Sequence, residues 1–262
     1  MDKNKKAAVN KKVLHVLKFV VLVLVLCMFI FPFYMVLINV FKTKADITSN
    51  PLAVIGAHGF ITVLSTVLTI LFSSMTAYIM VRRKWKITGI LFALMIASMV
   101  IPFQVLMIPL VSFYGGILNI LNHRATLIFM HIGFSLSMAT FMFHGAINTN
   151  IPLALEEAAT IDGCTSWQTF WKIVFPMLKP TVATIAIIDA MAFWNDYLLP
   201  SLVLGRKELY TLPIATQVFY GTFSTDIGLI MAALLLAMLP ILILYLFLQR
   251  YIVEGVTAGA VK

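Results

Sequence analysis

The sequence predicts an all-α integral membrane protein with six transmembrane helices, and three observations carry that prediction. Of the 262 residues, 61% are hydrophobic and 11% are charged, whereas a soluble domain carries about 25% charged residues. Mean hydropathy is +1.01. Six apolar stretches, at about 19–41, 57–81, 88–111, 125–147, 181–204 and 227–249, each approach or exceed the roughly 20 residues that cross a bilayer as a helix. They are continuously apolar rather than alternating, which favours helices, whose backbone hydrogen bonds are satisfied within the segment, over a barrel. A soluble enzyme of this length has no means of hiding so much apolar surface.

The charge pattern sets the expected topology. Fourteen of the nineteen basic residues fall on one side: six in the tail at 1–18, then Arg82, Arg83, Lys84, Lys86, Lys172, Lys179, Arg250 and Lys262. The other side holds Lys42, Lys44, Arg124, Arg206 and Lys207. The positive-inside rule then puts both termini in the cytoplasm. The net charge of +9 is thereby assigned to topology, with a contact to anionic lipid for the tail, and not to nucleic acid.

The first span exceeds a signal-peptide core, lacks a small-residue cleavage site and precedes five more spans, so it is expected to stay in the mature chain. The second carries Ser65, Thr69, Ser73 and Thr76 on one face, and the fourth Gly133, Ser137, Thr140 and His144. Both stripes fit close helix packing or a solute path. In the third span, Pro102 and Pro109 remove backbone donors and are expected to kink the helix. Cys27 and Cys164 suggest neither disulfide nor metal. His15, His58, His123, His131 and His144 show no ligand spacing and read as packing or interface residues.

Residues 148–180 form a loop of different composition. Asn150-Ile151-Pro152 starts a helix over Leu153 to Ile161, which Asp162-Gly163 stops. A second helix begins at Thr165-Ser166, places Trp167, Phe170, Trp171 and Val174 on one face, and ends before Pro176. The aromatic face is expected to pack beneath the spans, leaving Glu156 and Glu157 of the first helix directed into the cytoplasm.

The fifth span holds Asp189 and Asp196, seven residues or two turns apart, with Phe193 between them on nearly the same side. An ionisable side chain inside a span is costly and by default functional. Asp189, Phe193, Trp194, Asn195 and Asp196 are therefore the candidate path residues, the two carboxylates facing a polar cavity that opens outward. Trp194, about 200° from Asp196, reads equally as an interfacial anchor. The sixth span precedes a polar tail at 250–262.

The loop run Glu157-Ala158-Ala159, three residues, Gly163, nine residues, Ile173, one residue, Phe175-Pro176 resembles the EAA signature of permease subunits of ATP-binding-cassette importers. The longer run EEAATIDGCTSWQTFWKIVFPMLKP is similar to the carbohydrate-uptake family related to the inner-membrane maltose permease pair. FKTKADITSNPL, IPFQVLMIPL, FWNDYLLPSLVL and QRYIVEGVTAGAVK extend the likeness over nearly the whole chain. It departs at Cys164, where alanine is common, at Phe175, where leucine is usual, and after Asn50-Pro51-Leu52, where members carry a few tens more residues before the second span.

The resemblance implies a type I importer permease fold in a bacterial plasma or inner membrane. It implies a coupling helix in which Glu156, Glu157, Ala158, Ala159, Asp162 and Gly163 engage a groove of a separate dimeric ATPase. It also implies a heterodimer with a second permease subunit, an extracellular solute-binding protein, a sugar or related polyol as cargo, and a tail reaching the ATPase interface. The chain has no G-x-x-x-x-G-K-[ST] phosphate loop. No cofactor is therefore expected on it, ATP and magnesium belonging to the partner, and the chain is not expected to be an enzyme. An ion-coupled secondary transporter using Asp189, a membrane anchoring protein, and an importer of a non-sugar polar solute are the competing readings.

Overall fold

The computed structural model describes residues 17–30, 51–217 and 227–260. Most of the basic tail, residues 31–50 and the last two residues lie outside them, as do the second half of the expected first span and most of the FKTKADITSNPL run. All regular structure among the described residues is helical. α1 is Leu17–Ile30. α2 (Pro51–Arg82), α3 (Lys86–Ser98), α4 (Phe103–Leu110) and α5 (Arg124–Asn150) follow, then α6 (Leu153–Ile161), α7 (Ser166–Thr169), α8 (Phe175–Met177) and α9 (Lys179–Asn195). α10 (Leu198–Val203), α11 (Leu212–Gln217) and α12 (Ile227–Ala260) complete the chain. Two compact units divide it, residues 50–217 with 240–262 in one and 1–49 with 218–239 in the other. The candidate site lies wholly in the first.

Three helical stretches, His58–Arg82, Arg124–Asn150 and Ile230–Phe247, are each long and apolar enough to cross a bilayer. Two bent pairs raise the number to five, where six spans were expected. The third expected span is broken: Lys86–Ser98 and Phe103–Ile117 meet at 99°. Pro102 stands at the break as the residue before α4, with extended backbone. Pro109 is carried inside α4, and the backbone widens just after it into a π-helical segment over Val111–Ile117. Of the two prolines only Pro102 breaks the helix. The fifth expected span also divides, because α9 stops at Asn195, Asp196 is extended and α10 starts at Leu198. Past residue 249, where the sixth span was expected to give way to a polar tail, the backbone remains helical to Ala260.

Within the larger unit, α2 packs on α5 and α9, and α3 packs on α5. One apolar cluster holds α2, α5 and α9 together, and a second holds α2, α4 and α5 to the segment beyond α9. One joins Ile70, Ala77 and Val81 of α2 to Ala139, Phe143 and Ile147 of α5, with Phe170, Val174, Leu178 and Ile185. The other joins Ile61 of α2, Leu110 of α4, Leu127, Ile128 and Met130 of α5, and Leu199, Val203 and Leu204 beyond α9. Lipid is as apolar as these side chains, so close packing and buried polar contacts, more than a hydrophobic drive, hold such helices together. The expected hydroxyl stripe of α2 serves this purpose: Ser65, Thr69 and Ser73 are fully buried, and the Ser73 hydroxyl donates to the Thr69 carbonyl. The α5 stripe is split. Thr140 is buried, whereas Ser137 bonds Ser98 of α3 at 3.0 Å and His144 stacks on Phe92 of α3, ring centres 4.0 Å apart.

A second joint ties the turn before α5 to the turn after α10. The Asn122 N–H donates to the Val203 carbonyl at 2.8 Å, the Asn122 side-chain oxygen accepts from the Gly205 N–H at 2.6 Å, and Arg124 donates to the Glu208 carbonyl at 2.6 Å.

Candidate functional site

The loop from Ile151 to Leu178 folds as two helical pieces around a glycine. At the end of α6, the Gly163 N–H donates to the Thr160 carbonyl and the Cys164 N–H to the Ala159 carbonyl, a paired arrangement that ends helices with a left-handed residue. Gly163 takes that role with φ +82°, a conformation a side chain disfavours. Thr165 caps the next piece: its hydroxyl accepts from the Gln168 N–H, while the Gln168 side chain accepts from the Thr165 N–H. This is a reciprocal capping box.

The second piece was expected to end before Pro176, yet it runs on to Met177. Over Phe170–Val174 the helix widens to a π turn, and the Phe175 N–H reaches back five residues to Phe170. Such a bulge accommodates a proline that has no N–H to give. α9 leaves this piece at 74°. Phe170 and Val174 are buried in the first apolar cluster, Trp171 packs at its edge and Trp167 is exposed.

The motif helix does not present one face made of all its named residues. Glu156 is 8% exposed and turned inward. Its Oε1 accepts from Arg82 Nε at 2.7 Å and its Oε2 from the Tyr78 hydroxyl at 2.8 Å. Arg82 also donates to the Ile151 carbonyl at 2.8 Å. Ala159 is buried as well, whereas Glu157, Ala158, Asp162 and Gly163 are exposed. The expectation that Glu156 and Glu157 both point outward is thus corrected: adjacent helical residues lie about 100° apart, and Arg82 lies within reach of only one.

Between the two apolar clusters lies a polar layer. Asp189, 5% exposed, accepts from the Ser135 hydroxyl of α5, and its other oxygen is buried with no partner among the described residues. Asp196 accepts from His131 Nε2 at 3.1 Å. A carboxylate only accepts, so His131 Nε2 donates, and its Nδ1 lies 3.4 Å from the Ser65 hydroxyl of α2. The other Asp196 oxygen accepts from the Leu199 N–H, 3.3 Å away, and so caps α10. Phe193 stacks on His131 with ring centres 4.5 Å apart. His58 of α2 donates from Nε2 to the Trp194 carbonyl at 3.0 Å, beside the Trp194 ring.

Asp189, Phe193 and Asp196 therefore do share a side of α9, but that side meets α5 of the same chain rather than an open cavity. Trp194 is buried against His58, not at an interface with water. Asn195 is exposed and donates to the Met191 carbonyl one turn back. His131, His58, Ser135, Tyr78 and Arg82 had no place in the sequence-based site. A carboxylate in a span needs a donor, and His131 and Ser135, one turn apart on an apolar helix, were the available signal.

A family model described as "Binding-protein-dependent transport system inner membrane component" matches residues 69–258. The probable starch degradation products transport system permease protein AmyC of Thermoanaerobacterium thermosulfurigenes is 39% identical, covering 95% of this chain and 97% of that protein. The melibiose/raffinose/stachyose import permease protein MelC of Bacillus subtilis is 36% identical, covering 91% and 94%. The sulfoquinovosyl glycerol transport system permease protein SmoH of Agrobacterium fabrum is 31% identical, covering 94% and 93%. Among solved structures, a chain of a bacterial ABC transporter involved in the import of the acidic polysaccharide alginate superposes with a TM-score of 0.76. That match covers 93% of this chain and 98% of the other at 18% identity, a likeness of fold. With its helical spans, its loop built around Gly163 and these matches along nearly its full length, the chain belongs to the family of binding-protein-dependent transport system inner membrane components.

Proposed function

We propose that this chain is a permease subunit of an ATP-driven importer that carries a sugar or oligosaccharide across the cell membrane by alternating access. The observation that carries the reading is the build of the loop. α6 is held on the ends of α2 and α5 from behind, while Glu157, Ala158 and Asp162 stay exposed. A short helix fixed on one side and bare on the other suits docking to a separate ATPase.

In this reading the chain has six spans and both termini in the cytoplasm. Residues 1–18 form a basic tail, 148–180 the coupling loop and 250–262 a tail reaching the ATPase. The partners are a second permease subunit, a dimeric ATPase that binds ATP and magnesium, and an extracellular solute-binding protein. The sugar assignment draws on the names of full-length relatives, which speak of starch degradation products and of melibiose, raffinose and stachyose. Of the path residues, Asn195 and Asp196 keep exposure and are retained, whereas Asp189, Phe193 and Trp194 act as support behind them. An ion-coupled transporter using Asp189 is disfavoured because the chain matches binding-protein-dependent permeases along nearly its full length.

The test is uptake into membrane vesicles of labelled maltotriose and raffinose. Uptake that requires ATP and ends when the partner ATPase is removed supports the reading. Uptake driven by a proton or sodium gradient without ATP defeats it.

A further inference from the structure

Arg82 and Glu156 sit where three segments meet. Arg82 is in the last turn of α2, binds Glu156 of α6 through Nε, and binds the carbonyl of Ile151 at the end of α5 through its terminal nitrogen. Tyr78, one turn earlier on α2, takes the remaining Glu156 oxygen and lays its ring on Phe170 of the second loop piece, centres 5.2 Å apart. Both carboxylate oxygens of Glu156 are thus engaged by a single helix, at side-chain exposures of 17% for Arg82 and 10% for Glu156. A charge pair so enclosed and so fully bonded has a narrow choice of geometry. α6 cannot slide on α2 without breaking it.

α2 then runs unbroken for about 36 Å from Arg82 to His58, at 1.5 Å per residue. Its far half carries the contacts that hold the α9 break: Ser65 to His131, which holds Asp196, and His58 to the Trp194 carbonyl. One stiff helix therefore has the exposed loop helix fastened to one end and the interruption of α9 to the other. α5, which leads into the loop at Ile151 and carries His131, is drawn into the same joint by the Arg82 bond to the Ile151 carbonyl.

We propose that Arg82 and Glu156 are the positioning residues through which a displacement of α6 becomes a displacement of α2, and that α2 delivers it to the α9 break at Asp196. The inference rests on the proposed docking of α6 to an ATPase. It adds that Glu156, unlike Glu157, serves transmission within this chain and not docking. Breaking the pair leaves the ATPase attached and disconnects it from the spans.

The test uses the whole complex, purified from membranes through a tag on this chain and placed in lipid nanodiscs. Cys27 and Cys164 are replaced by serine, and spin labels are attached at Leu94→Cys on α3 and Tyr197→Cys between α9 and α10, both exposed positions outside the contacts that tie α2 to α9. Their separation is measured with and without ATP plus orthovanadate. The expected result is a nucleotide-dependent shift in the otherwise unaltered chain. In Glu156→Gln and in Arg82→Gln that shift falls to less than half, with ATPase copurification unchanged.

A full shift in both variants overturns the proposal, as does no shift in the unaltered chain. Loss of copurification in either variant also overturns it, since the pair would then serve docking. Failure of the docking reading itself is seen separately, as Glu157→Lys keeping its ATPase. Should neither pair variant yield folded chain in the membrane, Tyr78→Phe removes one donor and leaves the ion pair. An intermediate shift is then expected, and an undiminished one overturns the proposal.

Discussion

His131 of α5 donates to Asp196 at 3.1 Å across 65 residues of sequence, and the same carboxylate caps α10 through the Leu199 N–H. One side chain thereby fixes both the interruption between α9 and α10 and the contact of α9 with α5. In Asp196→Asn the amide still accepts, but the charge-assisted bond becomes a neutral one. The expected loss is about 1–2 kcal/mol, the difference between hydrogen bonds with and without a charged partner. Thermal unfolding in detergent of the single variants and of His131→Ala/Asp196→Asn together checks it. Additive losses would mean the two residues are not coupled.

Asp189 presents the opposite case, since one of its oxygens is buried without a partner among the described residues. Replacing it by asparagine removes the demand of a charged group while keeping an acceptor for Ser135, so Asp189→Asn is expected to be neutral or mildly stabilising. Ser135→Ala takes away the donor and is expected to cost about 1–3 kcal/mol, the penalty of an unsatisfied buried group. Melting temperatures of the two variants should therefore move apart.

At Gly163 the left-handed backbone makes a side chain costly. Gly163→Ala is expected to destabilise the loop by about 1–2 kcal/mol, and Gly163→Asn by less, because asparagine tolerates that conformation. Protease accessibility of the 151–178 loop measures this. Equal accessibility of both variants and the parent chain would contradict the role of the φ +82° turn.

Glu157→Lys and Glu156→Lys separate the two halves of the motif. The first, at an exposed position, is expected to change stability by no more than about 0.5 kcal/mol and to abolish ATPase copurification. The second places a cation against Arg82 and breaks a buried pair, at about 3–5 kcal/mol, and should reduce the yield of folded chain. Similar yields for both would contradict the inward placement of Glu156.

Deleting Gly255 to Lys262 should lower ATP hydrolysis by the complex more than it lowers membrane insertion, measured on the same preparation. Equal hydrolysis with and without these residues would remove the role proposed for the tail.

The membrane class, three long apolar helices and the two-piece loop were legible in the chain itself, because each depends on short-range properties. Apolar run length decides what partitions into lipid, Pro102 removes a donor wherever it stands, and Asp162-Gly163 ends a helix by local backbone preference. Asp189 and Asp196 were also visible as costly residues, and their shared side of α9 follows from helical period alone. What they face does not follow. The register of α9 against α5 decides it, and in that register Ile185 of α9 packs with Ala139, Phe143 and Ile147 of α5 in a cluster assembled from distant segments. The inward turn of Glu156 likewise depends on Arg82, 74 residues away. Sequence spacing is blind to a partner on another helix. Tertiary packing alone decided that Asp189 and Asp196 are bound within the chain, and that one glutamate of the motif holds the loop from behind while its neighbour stays exposed.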